Sequence, residues 1–288
     1  MKQISFPLSR HECITLQGNY SSTAGDIELL GRLTGLPLVE KSQCAPEVVW
    51  EPCGKPVPPD SVVVYRTKTV RMVYCDNDHS FHLYLLNDSQ LYRKIYGVFL
   101  WHLSILCAAV AAILRGKKVL IVHCSMLEKA SRALLLMGES GIGKSTSMRR
   151  WQASGGRGVS DDMVLLEYAE DDRILVHHMP TWSACRVGLE NLYYPFEVPL
   201  ELASVLAVTR GKDTEVVDKV SYAEFFAQIY RCCFYHYLFV AGELPEPEKK
   251  LLTSAVREWA EVIAGRFPHR ALFAHLDGNI SKSLEGIL

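Results

Sequence analysis

The chain has 288 residues, 49% of them hydrophobic, and a formal net charge of -1. That is enough apolar material for one large or two smaller buried cores. The near-zero charge, with Arg and Lys scattered along the chain, excludes a general nucleic-acid or anionic-membrane surface. Nine cysteines at irregular spacing, with no CxxC pair and Cys232 next to Cys233, read as reduced thiols of a cytoplasmic protein rather than a disulfide framework or zinc knuckle. MKQISFPLSRHECITL lacks the apolar run of an export signal.

In chain order, residues 1–60 are weakly periodic. Their Pro/Cys-rich stretch CAPEVVWEPCGKPVPPDS predicts loops and edge strands. SVVVYRTKTVRMVYC, DNDHS and FHLYLLN then predict strand, turn and strand, which makes the first third β-rich. The run Val98–Leu114 is shorter than a bilayer span, carries His102 and Ser104, and has basic residues at both ends. It predicts a helix buried inside a domain. VLIVHC is a strand, MLEKAS a turn, and RALLLMG a strand that ends at a glycine loop. KSTSMRRWQAS predicts a helix stopped by GGRG. VSDDMVLLEY and ILVHHMP, joined by AEDDR, predict a hairpin-like pair and hence a mixed sheet. The pattern predicts helix from Tyr222 onward, with a long helix near Glu246 to Phe267.

The loop Gly138-Glu139-Ser140-Gly141-Ile142-Gly143-Lys144-Ser145, followed by Thr146, matches GxxxxGK[ST]. Its glycines allow successive N–H groups to face phosphate oxygens, and the helix that follows presents its positive end. Lys144 can reach β- and γ-phosphates, and the Ser145 hydroxyl can ligate Mg²⁺. The loop predicts nucleotide binding but not the reaction. ASGGR lies too near the loop to be the second signature of a transporter ATPase, and the chain has no NKxD-type guanine reader. Asp161 and Asp162, seventeen and eighteen residues after Lys144, are adjacent carboxylates whose repulsion a divalent cation or shared proton relieves. In a straight strand they point to opposite faces, so joint action needs a bent backbone. A carboxylate near a γ-phosphate is the base that hydroxyl phosphorylation requires. His123 ends the strand before the loop strand.

His123, the loop fifteen residues later and the Asp-Asp pair together resemble the kinase domain of HPr kinase/phosphorylase and the broader group of HPr-kinase-related proteins. The resembling segment runs from about Tyr92 to Pro180. The resemblance implies an α/β fold: a mixed-sheet P-loop kinase domain similar to the nucleotide domain of phosphoenolpyruvate carboxykinase, over residues 91–288, behind a β-rich region over 1–90 that could bind substrate or partner. It implies ATP and Mg²⁺, with Lys144 and the loop amides on the triphosphate, Ser145 and Asp161 on the metal, Asp162 as base, and His123 supporting the metal and phosphate region. Self-association is implied as well.

The family's Glu-x-Arg-Gly signature has no matching Glu in HHMPTWSACRVG, although Arg186 matches its Arg. That leaves phosphorolysis and HPr itself without support. PTWS with Arg186 is the candidate acceptor wall, and Arg210 and Lys212 are candidate cations for the phosphoryl group. The expected function is ATP-dependent phosphorylation of a hydroxyl, a serine of a peptide or protein. The rivals are a small-molecule kinase on the same fold and a non-catalytic nucleotide-sensing subunit.

Overall fold

The structure is a computed structural model that describes residues 2–9, 13–34, 36, 38–39, 45–59, 61–86, 90–179, 199–212 and 214–287. The chain is α/β with two mixed sheets. It divides into two compact units, the first comprising Met1–Val119, Ala184–Phe196 and Tyr237–Leu252, the second Leu120–Ser183, Glu197–His236 and Thr253–Leu288.

The first unit holds a seven-stranded sheet. Strands β1 (Lys2–Pro7) and β2 (Cys13–Gly18) pair antiparallel, and α1 (Ser21–Thr34) packs on both. β3 (Leu38–Val39), β4 (Val48–Glu51), β5 (Val62–Arg66), β6 (Val70–Cys75) and β7 (Ser80–Leu85) complete the order β3-β1-β2-β4-β7-β6-β5. β4 runs parallel to β2 and β7, so it is a central strand. This corrects the reading of CAPEVVWEPCGKPVPPDS as loops and edge strands: VVW is buried on both faces, so it lacks the alternation that marks a half-exposed strand.

Helix α2 (Gln90–Leu114) packs on β2, β4 and β7. It is buried from Leu100 onward apart from a half-buried His102, and the Trp50 indole donates to Ser104 Oγ at 2.9 Å. Its end is a Schellman turn. Gly116, at φ +81°, donates to the Ile113 carbonyl, and Lys117 N donates to that of Ala112. The basic residues after it are anchors, not interfacial charges. Arg115 lies 3.1 Å and Lys117 2.8 Å from Oε1 of Glu47, which is fully buried and also accepts from Thr15 N. Among the described residues, no helix is long and apolar enough to cross a membrane.

The second unit begins with β8 (Val119–Lys129) and β9 (Arg132–Met137), a hairpin whose two-residue turn places Ala130 and Ser131 at φ +51° and +59°. The segment expected as a turn, MLEKAS, is therefore strand up to Lys129. The left-handed pair at Ala130 and Ser131 makes a tight turn without the Asn-Gly signal that would announce it. After α3 (Lys144–Ala153) come β10 (Arg157–Ser160), β11 (Met163–Tyr168), β12 (Ile174–His178) and β13 (Leu200–Arg210). β14 (Val216–Lys219) and β15 (Arg270–Ala274) form one edge of the sheet. Strand pairing closes on itself through β8, β9, β13, β12 and β11. Of the remaining helices, α4 (Tyr222–Phe234) and α7 (Ile280–Ser283) belong to the second unit and α5 (Leu238–Ala241) to the first, while α6 (Glu246–Arg266) begins in the first and ends in the second. A capping box between Ser221 and Glu224 starts α4. Leu134, Leu136, Met148, Trp151, Leu206 and Leu272 pack together, which seats α3 on the sheet. Each such buried side chain contributes at most roughly 1.5–3 kcal/mol.

Candidate functional site

The glycine loop leaves β9 at its buried end and enters α3 at Lys144. Gly138 is tightly enclosed: a Cβ there would lie 2.9 Å from the Val208 carbonyl oxygen and 3.1 Å from Gln228 Nε2. Gly141 and Gly143 lie in open space but sit at φ +77° and +116°, which side chains disfavour. Gly143 is the N-cap of α3, which has no side-chain cap and no acid in its first turn. Its leading amides have no intrahelical acceptor, and with the helix dipole they make an anion site.

Lys144 is buried, and its ammonium makes three contacts: the Gly138 carbonyl at 2.7 Å, the Glu139 carbonyl at 2.9 Å and His123 Nε2 at 2.9 Å. Burial pulls its pKa below the usual range, while Cys232, Cys124 and Asp162 pull it upward. The register of the β8–β9 hairpin explains why His123 is there. Cys124 pairs with Met137, so His123 falls beside the start of the loop. With Nε2 accepting from the lysine, the ring proton belongs on Nδ1, which makes no hydrogen bond among the described residues but lies 3.4 Å from Asp162 Oδ1. Lys144, His123 and Asp162 thus form one chain of contacts.

VSDDMVLLEY is not one continuous strand: the Asp-Asp pair lies in a bend between β10 and β11, directly before the apolar strand. β10 and β11 both lie along β8, and the bend interrupts them. It is pinned by its carbonyls: Asp161 O accepts from Ser145 Oγ at 3.1 Å and Ser125 Oγ at 3.2 Å, and Asp162 O from Cys124 N at 3.1 Å. Asp161 and Asp162 are both half-buried. Ser145 keeps its oxygen lone pairs while donating its proton, which suits a metal ligand next to Asp161.

His123, Lys144, Ser145, Asp161 and Asp162 therefore converge at the loop. Arg186 and the PTWS segment lie outside the described residues. On another side of the loop, a cavity of about 520 Å³ is lined by Gly141, Gly143, Thr146, Arg150, Arg210 and His275, among others. Arg210 thus reaches the neighbourhood of the loop, whereas Lys212 is solvent-exposed. Glu139 is exposed and pairs with Arg231 at 2.7 Å, and Ser140 is exposed. Ile142 is half-buried against the core under α3.

Three contributors were not anticipated. Gln228 bridges β9 and β13 by donating to the Met137 and Val208 carbonyls. The Tyr235 ring stacks on His123 at 4.4 Å between centroids, and His236 meets the same ring edge-on at 5.4 Å. No local motif announces any of them. Cys124, Cys232 and Cys233 lie buried; burial pushes all three thiols up, Cys232 to about 12, so they stay protonated.

Residues 94–287 match a family model described as SynChlorMet cassette protein ScmC. The chain belongs to the ScmC family. No curated protein matches this ScmC-family chain. Among solved structures it is similar to the Hpr(Ser) kinase/phosphatase from Coxiella burnetii, at 16% identity and a TM-score of 0.23, over 31% of this chain and 65% of that one. The ScmC-family chain thus spans less than two thirds of that structure's length, and a likeness this slight carries no argument about fold or activity.

Proposed function

We propose that this chain is an ATP- and Mg²⁺-dependent kinase that moves a γ-phosphoryl group to a hydroxyl, a serine of a peptide or protein. One observation carries the reading: Asp162 is tied through His123 to Lys144 beside the uncapped start of α3. The donor set fits both absent groups. The loop amides and Lys144 would hold the triphosphate, Ser145 and Asp161 would hold Mg²⁺, and the bound cation would offset the charge of the phosphoryl oxygens.

The His123 Nδ1–H faces Asp162, and the Asp162 carboxylate would accept the proton of the acceptor hydroxyl. The stack of Tyr235 on His123 fixes the ring that orients Asp162. The cavity on the Arg210 side has room for part of a nucleotide. In this reading the β-rich first 90 residues would bind substrate or partner. The family's description as a cassette protein fits an acceptor supplied by another member of that cassette. A cytoplasmic setting and a homo-oligomer belong to the same proposal.

The test is transfer of label from γ-labelled Mg-ATP to serine peptides, with Asp162→Asn as the comparison. Turnover should fall about 10²–10⁴-fold in the variant while nucleotide binding persists. Equal turnover would remove Asp162 from the mechanism. A second reading, a nucleotide-sensing subunit, is favoured by one feature. The three Lys144 contacts already engage all three ammonium donors, so phosphate entry must break at least one. Binding of Mg-ATP by the native chain with no transfer to any hydroxyl would support it.

A further inference from the structure

The first unit contains a second cluster of ligating side chains. β6 ends at Cys75, a 3₁₀ turn covers Asp76–Asp78, and His79 closes that turn at φ 50°. Glu248 lies in the first turn of α6. One carboxylate oxygen each of Asp76 and Glu248 and one ring nitrogen of His79 lie within 4.8 Å of one another. Glu248 is only 7% exposed, yet its Oε2 has no hydrogen-bond partner among the described residues. A buried carboxylate oxygen left without a donor is costly, and a cation is one of the few groups that relieve it.

The surroundings support a cation rather than an internal ion pair. Arg115 is already engaged: its Nε donates to the Asp78 carbonyl, and its other nitrogens engage Glu47 and the carbonyls of Ala45 and Pro46. The Tyr74 hydroxyl sits 2.5 Å from His79 Nδ1, and the Tyr74 ring is fully buried. That contact fixes the imidazole and leaves Nε2 free to face a ligand, the arrangement in which a metal-bound histidine is braced through its other nitrogen.

We propose that Asp76, His79 and Glu248 form a binding site for a divalent transition cation, Zn²⁺ by its donor set, separate from the glycine loop. One imidazole and two carboxylates without a thiolate suit Zn²⁺ better than Mg²⁺ or Ca²⁺, which favour all-oxygen shells. Three protein ligands leave a fourth position for water. Tetrahedral ligand atoms around Zn²⁺ stand roughly 3.4 Å apart, so a modest swing of the exposed Asp76 side chain closes the set. Bound there, the cation clips the β6–β7 corner to the start of α6.

The test titrates ZnCl₂ into the chelator-stripped full chain by calorimetry and repeats the titration with Co²⁺, whose visible spectrum reports nitrogen and oxygen ligation. The native chain should take up one equivalent. His79→Ala should lose it, and Asp76→Asn, a change at an exposed position that leaves the core intact, should weaken it at least about tenfold. Lys144→Met should bind as the native chain does. No uptake by the native chain, equal uptake by Asp76→Asn and His79→Ala, or loss of uptake in Lys144→Met would each overturn the site.

Discussion

Replacing Lys144 by Met separates the stability of the loop from its ligand. The ammonium is buried, burial holds its pKa down, and it is offset by bonds to the Gly138 and Glu139 carbonyls and His123 Nε2. Each charge-assisted bond contributes roughly 1.5–3 kcal/mol. Removing the charge returns a desolvation penalty of several kcal/mol, and Met fills nearly the same volume. The two sides nearly cancel, so the ligand-free variant should unfold within about 2 kcal/mol of the native chain. The effect of Mg-ATP should differ sharply. At a hundred times Kd, binding adds about 2.7 kcal/mol to the native chain. For a protein of this size that is roughly 5–10 °C in Tm. The variant should show none of it. Thermal unfolding of both proteins, with and without Mg-ATP, Mg-ADP and Mg-GTP, measures all of this and identifies the base. A nucleotide shift retained in Lys144→Met would refute the loop as the nucleotide site. A loss above about 4 kcal/mol without ligand would show that Lys144 acts mainly as a structural brace.

Gly138→Ala should cost about 1–3 kcal/mol, because its methyl would press on the Val208 carbonyl and on the Gln228 amide that bridges β9 and β13; unchanged urea unfolding would show that the enclosure is loose. In the first unit, His82 lies 2.9 Å from the buried Glu51 carboxylate. Burial lowers the His82 pKa, but hydrogen bonds to Cys75 and Glu51 outweigh it and raise the value from 6.5 to about 9. The native chain therefore keeps a proton that the unfolded chain loses. The stabilisation is complete below pH 6.5 and disappears as pH rises through about 9. Its upper limit is about 3 kcal/mol. Chemical denaturation at pH 6 and pH 9.5 should show this loss in the native chain and little of it in His82→Gln; parallel pH profiles would refute the pairing.

What the sequence disclosed follows from how local each cause is. The glycine loop is specified by residues within one turn of one another, since φ +77° at Gly141 and +116° at Gly143 are demands that only glycine meets cheaply. The strand before it and the helix after it are read from short apolar runs. The same holds for the end of α2, where Gly116 closes the turn. Segments set by distant partners were misread. β4 is central because β2 and β7 pair with its two edges, and its residues are buried on both faces, which its own four residues do not reveal. β8 continues through Met126–Lys129 because β9 and β10 pair with that stretch, and only Ala130 and Ser131 of MLEKAS form the turn.

The candidate site divides along the same line. His123 and Asp162 could be named from their spacing, but what makes them a unit is a register that puts Cys124 opposite Met137 and a bend whose carbonyls are held by Ser125, Ser145 and Cys124. Tyr235 lies more than a hundred positions from the ring it stacks on, and neither it nor its neighbour His236 carries a sequence signal of that contact. This ordering bears on what substitution would reveal. Changes in the loop alter a locally encoded shape, whereas Tyr235→Leu leaves the loop intact and removes only the stack that holds His123. If the His123 ring orients Asp162, that substitution should lower turnover through kcat while leaving the Mg-ATP thermal shift in place. A fall in nucleotide binding with unchanged kcat would place Tyr235 with the phosphate loop instead.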